Sequence, residues 1–424
     1  MYLLALSITA QETDALTYII SGEVRDNSNG KKLENVNVTA PQRHLATVTN
    51  ADGRFTLKTV SRPEYITVSH VGYKTQRIAL TGNNSGLKIR LIPVNIVLKD
   101  IEVTNQDPQV LLAEAIHHIP DNYCQSPELM QCFYRETAKK RNKFISVSEA
   151  VVGLYKTSYE YGPAPDRVTI VKGRSLVSQK SSDTLGLKMQ GGPTEIIFLD
   201  VVKNRGLILD KDELTHYLLK MSDPVTINDR MQFVVKAIPN DDMLPYALYH
   251  ATFYIDMETL AFTRAELSLD MHDSDKATRL MLVKKPRGVR FKPKELTLLV
   301  NYRQDEGMSH ISYIRSTFRF NCDWKRRLLS TGFTAVNEMV VTDRQPCDKN
   351  PIPRKESFGQ RDSFSQMVNN FNDPDFWKDY NIIEPTESLE KAINKLKKTR
   401  KQGNKNTIAQ RTLAACEHGR HRLP

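Results

Sequence analysis

The chain has 424 residues, enough for two or three domains with cores of their own. Hydrophobic residues at 40% and charged residues at 26% describe an ordinary globular composition, and no apolar run approaches the roughly 18 residues of a membrane-spanning helix. The net charge of +11 does not mark a nucleic-acid binder: residues 391–424 hold ten Lys or Arg against one acid, Glu417, and the rest is nearly neutral with 50 basic and 48 acidic side chains.

Met1 to Ala10, MYLLALSITA, is apolar and is followed by the polar run Gln11-Glu12-Thr13-Asp14. This reads as the distal part of a secretory signal peptide cut after Ala10, although the first basic residue is Arg25; the alternative is a first strand. Residues 1–15 are therefore expected to be a signal-peptide remnant and linker, and the protein to be exported to the periplasm or outer membrane. No cysteine sits at the cut, so lipoprotein anchoring is not indicated.

From residue 16 to 98 the pattern is that of a small all-β module. Ile19 to Asp26, Leu33 to Val38, Thr47 to Leu57 and Ile66 to Tyr73 largely alternate apolar and polar residues, as half-buried strands do. Asn29-Gly30 and Asp52-Gly53 supply the positive φ of tight hairpin turns. Asn50-Ala51-Asp52-Gly53 has part of a calcium-loop spacing but lacks the closing glutamate, so the turn reading holds. The G-x-V-x-D opening at Gly22, the T-x-x-D-G-x-F turn ending at Phe55 and the S-x-V-G-Y strand ending at Tyr73 resemble the carboxypeptidase regulatory-like domain of Bacteroidetes surface proteins. The resemblance implies a seven-stranded transthyretin-like β-sandwich that serves as an accessory domain. The same sandwich prefaces TonB-dependent receptors, but no run of barrel strands with aromatic girdles follows here, so the chain is not itself a receptor.

Lys88 to Val103 reads as a last strand, a break at Pro93 and a further strand. A linker of strand and helix (99–125) follows, with Asp107-Pro108 opening the helix, an apolar stripe of Val110, Leu111, Ala115, Ile116 and Ile119, and Pro120 ending it. Residues 126–345 are expected to form a large antiparallel sheet or half-barrel. Its strands are Gln131 to Thr137, Phe144 to Tyr155, Met231 to Ala237, Ala247 to Ile255, Leu260 to Leu269, Thr278 to Val283, Phe291 to Asn301 and His310 to Phe320. Tyr159 to Thr226 reads as irregular, with Lys172 to Lys188 mobile, and Met339 to Arg354 as a linker. Residues 253–267, FYIDMETLAFTRAEL, are similar to the hairpin of LolA-like lipoprotein-carrier half-barrels, which implies a concave apolar face for acyl chains or peptides.

A helical C-terminal arm is expected over 346–396, with helices from Arg361 to Phe371 and from Thr386 to Lys397, the latter capped by Thr386-Glu387-Ser388 and presenting Leu389, Ile393 and Leu396. Phe376, Trp377 and Tyr380 read as anchors onto the sheet, or alternatively as an aromatic sugar platform. Residues 397–424 are too basic and too polar to bury, and are expected to be a disordered tail, with a peripheral contact to an anionic membrane surface as its one candidate role.

No catalytic, cofactor or metal residue emerges. H-x-x-E, H-E-x-x-H, G-x-S-x-G and phosphate-loop spacings are absent, and His117-His118, the only adjacent pair, diverge by about 100° on a helix. His70 reads as a packed residue at a strand end. The five cysteines form no C-x-x-C; Cys124 and Cys132 are close enough to bridge or to remain free thiols. Asp256, Glu258, Glu266 and Asp270 are the carboxylates a hydrolytic reading would use. The expectation is a mainly β, non-enzymatic envelope protein without cofactor, binding an envelope protein or small ligand, with a lipid or peptide carrier and an uncharacterised hydrolase as alternatives.

Overall fold

The computed structural model describes residues 18–40, 45–82, 84–94, 106–178, 188–189, 192–241, 243–284, 287–325, 330–349, 351–359, 362, 364–370, 376–377 and 380–398. The expected signal segment and basic tail lie outside these, apart from the first residues of the tail.

Seven strands build the sandwich: β1 Tyr18–Asp26, β2 Asn37–Ala40, β3 Leu45–Val48, β4 Arg54–Thr59, β5 Tyr65–Ser69, β6 Gln76–Ala79 and β7 Leu87–Leu91. They form two sheets, ordered β4-β1-β7 and β3-β2-β5-β6. Alternation turns Val24, Phe55, Leu57, Ile66, Val68 and Leu91 into the space between them, where they are almost completely buried. Asn29-Gly30 makes the expected tight turn: residues 31–33 fold back on β1, with Lys32 bridged antiparallel to Arg25, before the chain crosses to the other sheet at β2. At Asp52-Gly53 the chain leaves one sheet and goes on to the other, so the expected strand Thr47 to Leu57 is two strands in different layers. Gly30 and Gly53 both have φ +71, but a Cβ at Gly30 would meet open space, whereas at Gly53 it would stand 2.6 Å from the Val24 carbonyl oxygen. The second strand expected before Val103 lies outside the described residues.

The next elements are α1 Pro108–His117, α2 Ile119–Asn122, β8 Glu128–Lys140, β9 Lys143–Lys156, β10 Arg167–Val177, β11 Lys188–Met189, α3 Pro193–Ile197 and α4 Lys211–Leu214. Then come β12 Tyr217–Ile227, β13 Arg230–Pro239, β14 Tyr249–Asp256, β15 Phe262–Leu269, α5 Ser274–Met281, β16 Leu282–Lys284, β17 Val289–Asp305, β18 Met308–Trp324 and β19 Thr331–Pro346. Last are α6 Phe364–Met367, β20 Asn369–Asn370 and a final helix, α7, over 387–398. Eleven strands join in one sheet, ordered β12-β13-β14-β15-β17-β18-β19-β8-β9-β10-β20 and antiparallel except for β20.

Several expectations are corrected. Pro120 does not end a helix; it sits in the first turn of α2, and α1 stops at His118. Asp107 caps α1 by accepting from the Gln109 amide, but the buried stripe is Leu111, Leu112, Ala115 and Ile119, with Val110 exposed. Thr278 to Val283 is mostly helix: Asp273 accepts from the Asp275 and Lys276 amides and starts α5. Strands β10, β12 and β19 cross stretches read as irregular, mobile or linker. The helix expected from Arg361 to Phe371 reduces, among the described residues, to the single turn α6 followed by β20.

Apolar side chains on the inner face of the large sheet, from Val168 on β10 to Tyr217 on β12, belong to one continuous cluster with Leu111, Leu112 and Ile119 of the first helices and with Ile196, Val201, Val202 and Ile208. The sheet therefore curls around its own chain, and the concave face is filled. A buried polar network fastens this filling. The Lys156 Nζ lies 2.7 Å from Asp200 and the Lys203 Nζ 2.6 Å from Asp166, while the Tyr302 and Tyr159 hydroxyls donate to Asp200 at 2.7 and 3.1 Å. Burial, together with the charge of Lys156, lowers the Lys203 amine to about 8. On the same face Glu136 accepts from the Tyr134 hydroxyl at 3.1 Å, and burial pushes its carboxyl up to about 7.

The opposite face carries the sandwich and the C-terminal arm. Phe376, Trp377, Ile382 and Ile383 are buried between Phe133, Val151, Tyr313 and Val340 of the sheet and Val48 of β3. The anchor reading of the aromatics holds, and the sugar-platform reading fails because Phe376 and Trp377 are only 6% exposed. Helix α7 starts as expected: the Thr386 hydroxyl accepts from the Leu389 amide, and Leu389, Ile393 and Leu396 pack on Val147 and Leu176.

Two outcomes are expected. Gly53→Val loses about 1–2 kcal/mol to the left-handed backbone and more to the Val24 contact, so in chemical denaturation it falls well below Gly30→Val, which bears the backbone cost alone; equal losses would mean the corner relaxes freely. For Glu136, the folded state holds a proton that the unfolded chain has released between the usual value of 4.5 and about 7, so this group's contribution to stability is lost as pH rises through that window. Glu136→Gln should then stabilise the protein above pH 7 by about 1–3 kcal/mol and leave it unchanged near pH 4; parallel pH profiles would contradict this.

Candidate functional site

Because the concave face is filled, the candidate site is a cleft of about 640 Å³ where the sandwich meets the large sheet. A two-residue hairpin turn makes the connection. Asn228 and Asp229, between β12 and β13, both have positive φ (53 and 60), the turn geometry that matches strand twist. The turn reaches into the sandwich, where the Asp229 carboxylate accepts from the Thr75 amide at 2.9 Å and the Thr226 carbonyl from the Gly72 amide at 2.8 Å. An Asn-Asp pair between two alternating runs was the available sequence signal for this turn, and it was missed.

The sandwich side of the cleft presents Asn37, Thr39, Thr67, Ser69, Thr75 and Arg77; the sheet side presents Arg230, Gln232, Thr263, Arg303 and Gln304. Such a lining offers hydroxyl, amide and guanidinium groups to a polar ligand. The Thr75 hydroxyl oxygen is buried without a hydrogen-bond partner among the described residues. Arg77 stacks on the Tyr65 ring at 5.3 Å, which holds it at the rim.

The four carboxylates of the hydrolytic reading do not assemble into one site. Asp256 lines the cleft but is fully engaged: it accepts from the Arg230 Nε and a terminal nitrogen at 2.6 and 2.7 Å, from the Glu258 and Thr259 amides, and from Gln232. Burial raises its carboxyl, but the Arg230 bonds and the turn amides outweigh that and hold it below the usual range. It is the anchor of the β14–β15 turn. Glu258 pairs with the same Arg230 and is exposed. Glu266 pairs with Arg264 and lines a different cavity on the sheet's outer face, while Asp270 accepts from the His272 amide in a loop.

The remaining sequence candidates also find structural roles. His70 is half-buried against Tyr73, and burial with the nearby Arg264 charge lowers it to about 4. His118 bonds Asp121 at 2.9 Å. Cys124 and Cys132 are free thiols, and burial raises both. One grouping has no sequence signature at all. Cys124, Glu128 and His310 bring donor atoms within 4.8 Å of one another. Glu128 accepts from His310 Nδ1 at 2.9 Å and from Arg344 at 2.9 Å; burial raises its carboxyl, and these partners bring it below the usual range.

Comparison with known proteins agrees with the sandwich. Residues 20–104 match the family model described as CarboxypepD_reg-like domain. No curated protein matches the chain. Among solved structures, a domain described as an outer membrane lipoprotein-sorting protein from Vibrio parahaemolyticus is similar at 10% identity and TM-score 0.27, covering 59% of this chain and 96% of its own. A membrane-associated protein of unknown function from Bacteroides fragilis is similar at 9% identity and TM-score 0.15, covering 77% of this chain and 98% of its own. No helix among the described residues is long and apolar enough to cross a membrane. The seven described strands in two facing sheets accord with that match, and over residues 20–104 this chain is similar to a CarboxypepD_reg-like domain.

Proposed function

We propose that this chain is an exported, non-enzymatic cell-envelope protein that binds a polar ligand or partner segment in the cleft between its sandwich and its large sheet. The carrying observation is the division of space: the chain fills the concave face itself, and the 640 Å³ cleft is lined by hydrogen-bonding groups from both domains, one of them the Thr75 hydroxyl, which has no partner among the described residues. An acyl carrier needs that concave face open, so this reading ranks above the carrier alternative. The non-enzymatic part is supported by Asp256, held ionised in a turn, and by Cys124, Cys132 and Cys322, whose thiols burial moves away from nucleophilic character. The envelope part is supported by the CarboxypepD_reg-like domain and the apolar Met1 to Ala10 segment.

The test combines fractionation with ligand capture. Protein from its native cells should be found in the envelope, start near Gln11, and release a polar peptide or glycan on native mass spectrometry. Thr67→Trp, which fills the cleft from β5, should abolish that capture while leaving the melting temperature within a few degrees. Cytoplasmic protein with Met1 intact, or turnover of peptide, ester or glycoside substrates, would contradict the reading.

A further inference from the structure

We propose that Cys124, Glu128 and His310 form a binding site for one zinc-class divalent cation at the rim of the large sheet. Two of the ligands lie four residues apart, Cys124 in the loop after α2 and Glu128 as the first residue of β8, and the third, His310, is the third residue of β18. Backbone pairing holds them together. A parallel bridge between Tyr123 and Ser309 sets Cys124 beside His310, and the register of Glu128 with Pro346 fixes the start of β8.

The donor set is a thiol, an imidazole and a carboxylate, which suits zinc and not the all-oxygen shells of calcium or magnesium. Bonds of 2.0–2.3 Å place the ligands of a tetrahedral zinc about 3.3–3.8 Å apart. His310 Nδ1 and Glu128 Oε2 stand 2.9 Å apart, so an ion replacing their shared proton parts them by only about 0.4 Å. Cys124 closes from within 4.8 Å; it is half-buried, and its thiol would give up a bond to the Ser126 carbonyl at 3.3 Å on binding the ion. The supporting shell is already built. The other oxygen of Glu128 accepts from Arg344 at 2.9 Å, and Arg344 is held by Asp305 at 2.9 Å, the kind of outer contact that orients a metal-ligating carboxylate. The three residues leave a fourth position for water or a ligand from a partner, and Cys124 is the one member of the set that is not fully buried. Bound metal would tie the α2 loop to β8 and β18, and so stabilise the folded chain.

Metal-stripped, reduced full-length protein is titrated with Zn²⁺ and, as a spectroscopic reporter, with Co²⁺. One ion per chain, a rise in melting temperature and a cobalt–thiolate charge-transfer band are expected. Cys124→Ser should remove the band and weaken zinc binding at least tenfold; Glu128→Gln should weaken zinc binding while keeping the band. Cys347→Ser, altering a free thiol near the start of β8, should change neither. The proposal is overturned by absence of zinc binding at micromolar concentration, by a cobalt spectrum that survives Cys124→Ser, or by Cys124 found in a disulfide in protein as isolated.

Discussion

The buried guanidinium of Arg135 is the interaction on which the arrangement of the two domains depends. Its side chain is 3% exposed, an environment that an isolated charge does not tolerate. Glu149 lies 2.8 Å away, Glu338 3.4 Å, and the terminal nitrogen donates to the Ile383 carbonyl at 2.6 Å. Glu149 in turn accepts from Arg174 and from the Trp377 indole. Two of these partners, Ile383 and Trp377, belong to the C-terminal arm. Withdrawing the arm would leave a buried cation and a buried carboxylate short of hydrogen bonds, a loss of about 3–5 kcal/mol when one partner of such a set goes. The arm is therefore a structural wedge.

The same arm is gripped from the other side by the sandwich. Asn381 exchanges two hydrogen bonds with the backbone of Lys58, at 2.7 and 3.0 Å, as a neighbouring strand would. The Lys58 ammonium donates to the Trp377 carbonyl, and the Thr47 hydroxyl to the Ile382 carbonyl. The corner at Asn50 and Asp52 does two jobs. Asn50 uses its carbonyl to shape the turn and its amide to donate to the Glu384 and Pro385 carbonyls, while the Asp52 carboxylate accepts from the Glu387 amide at the start of α7. A salt bridge from Arg315 of β18 to Glu34 adds a direct link between sheet and sandwich. The sandwich is thus built into the body of the protein, and the polar cleft exists because the two units are held side by side.

Much of this architecture was legible wherever the signal is local. Alternation found β1, β4 and β5 of the sandwich, β8, β9 and the β14–β15 hairpin, while β6 went unread and the strand expected at Leu33 to Val38 meets β2 only at Asn37 and Val38; Asp107 and Thr386 marked helix starts; Phe376 and Trp377 stood out as anchors. The misses have physical causes. Strand β10 contains Gly173, which breaks the apolar pattern and whose missing Cβ makes room for Val368. Strand β12 contains Ser222-Asp223-Pro224 at a register shift, which a sheet edge tolerates. The run ending α5 is apolar enough to pass for a strand, and only the Asp273 cap distinguishes it. The cleft was invisible because its two sides come from the sandwich and from the large sheet, and the Cys124, Glu128 and His310 group because His310 reaches the other two, 182 residues away from Glu128, only through the topology of the long sheet.

The central claim, that the arm locks sandwich and sheet together, is tested most directly by hydrogen exchange on the intact protein and on Trp377→Ala, a truncation expected to cost about 3–5 kcal/mol. The account predicts that protection falls together in the arm, in β3 and β4 of the sandwich and in β8 and β9 of the sheet, while the β14–β15 hairpin keeps its protection. Loss confined to the arm, with β3, β4, β8 and β9 unchanged, would contradict it.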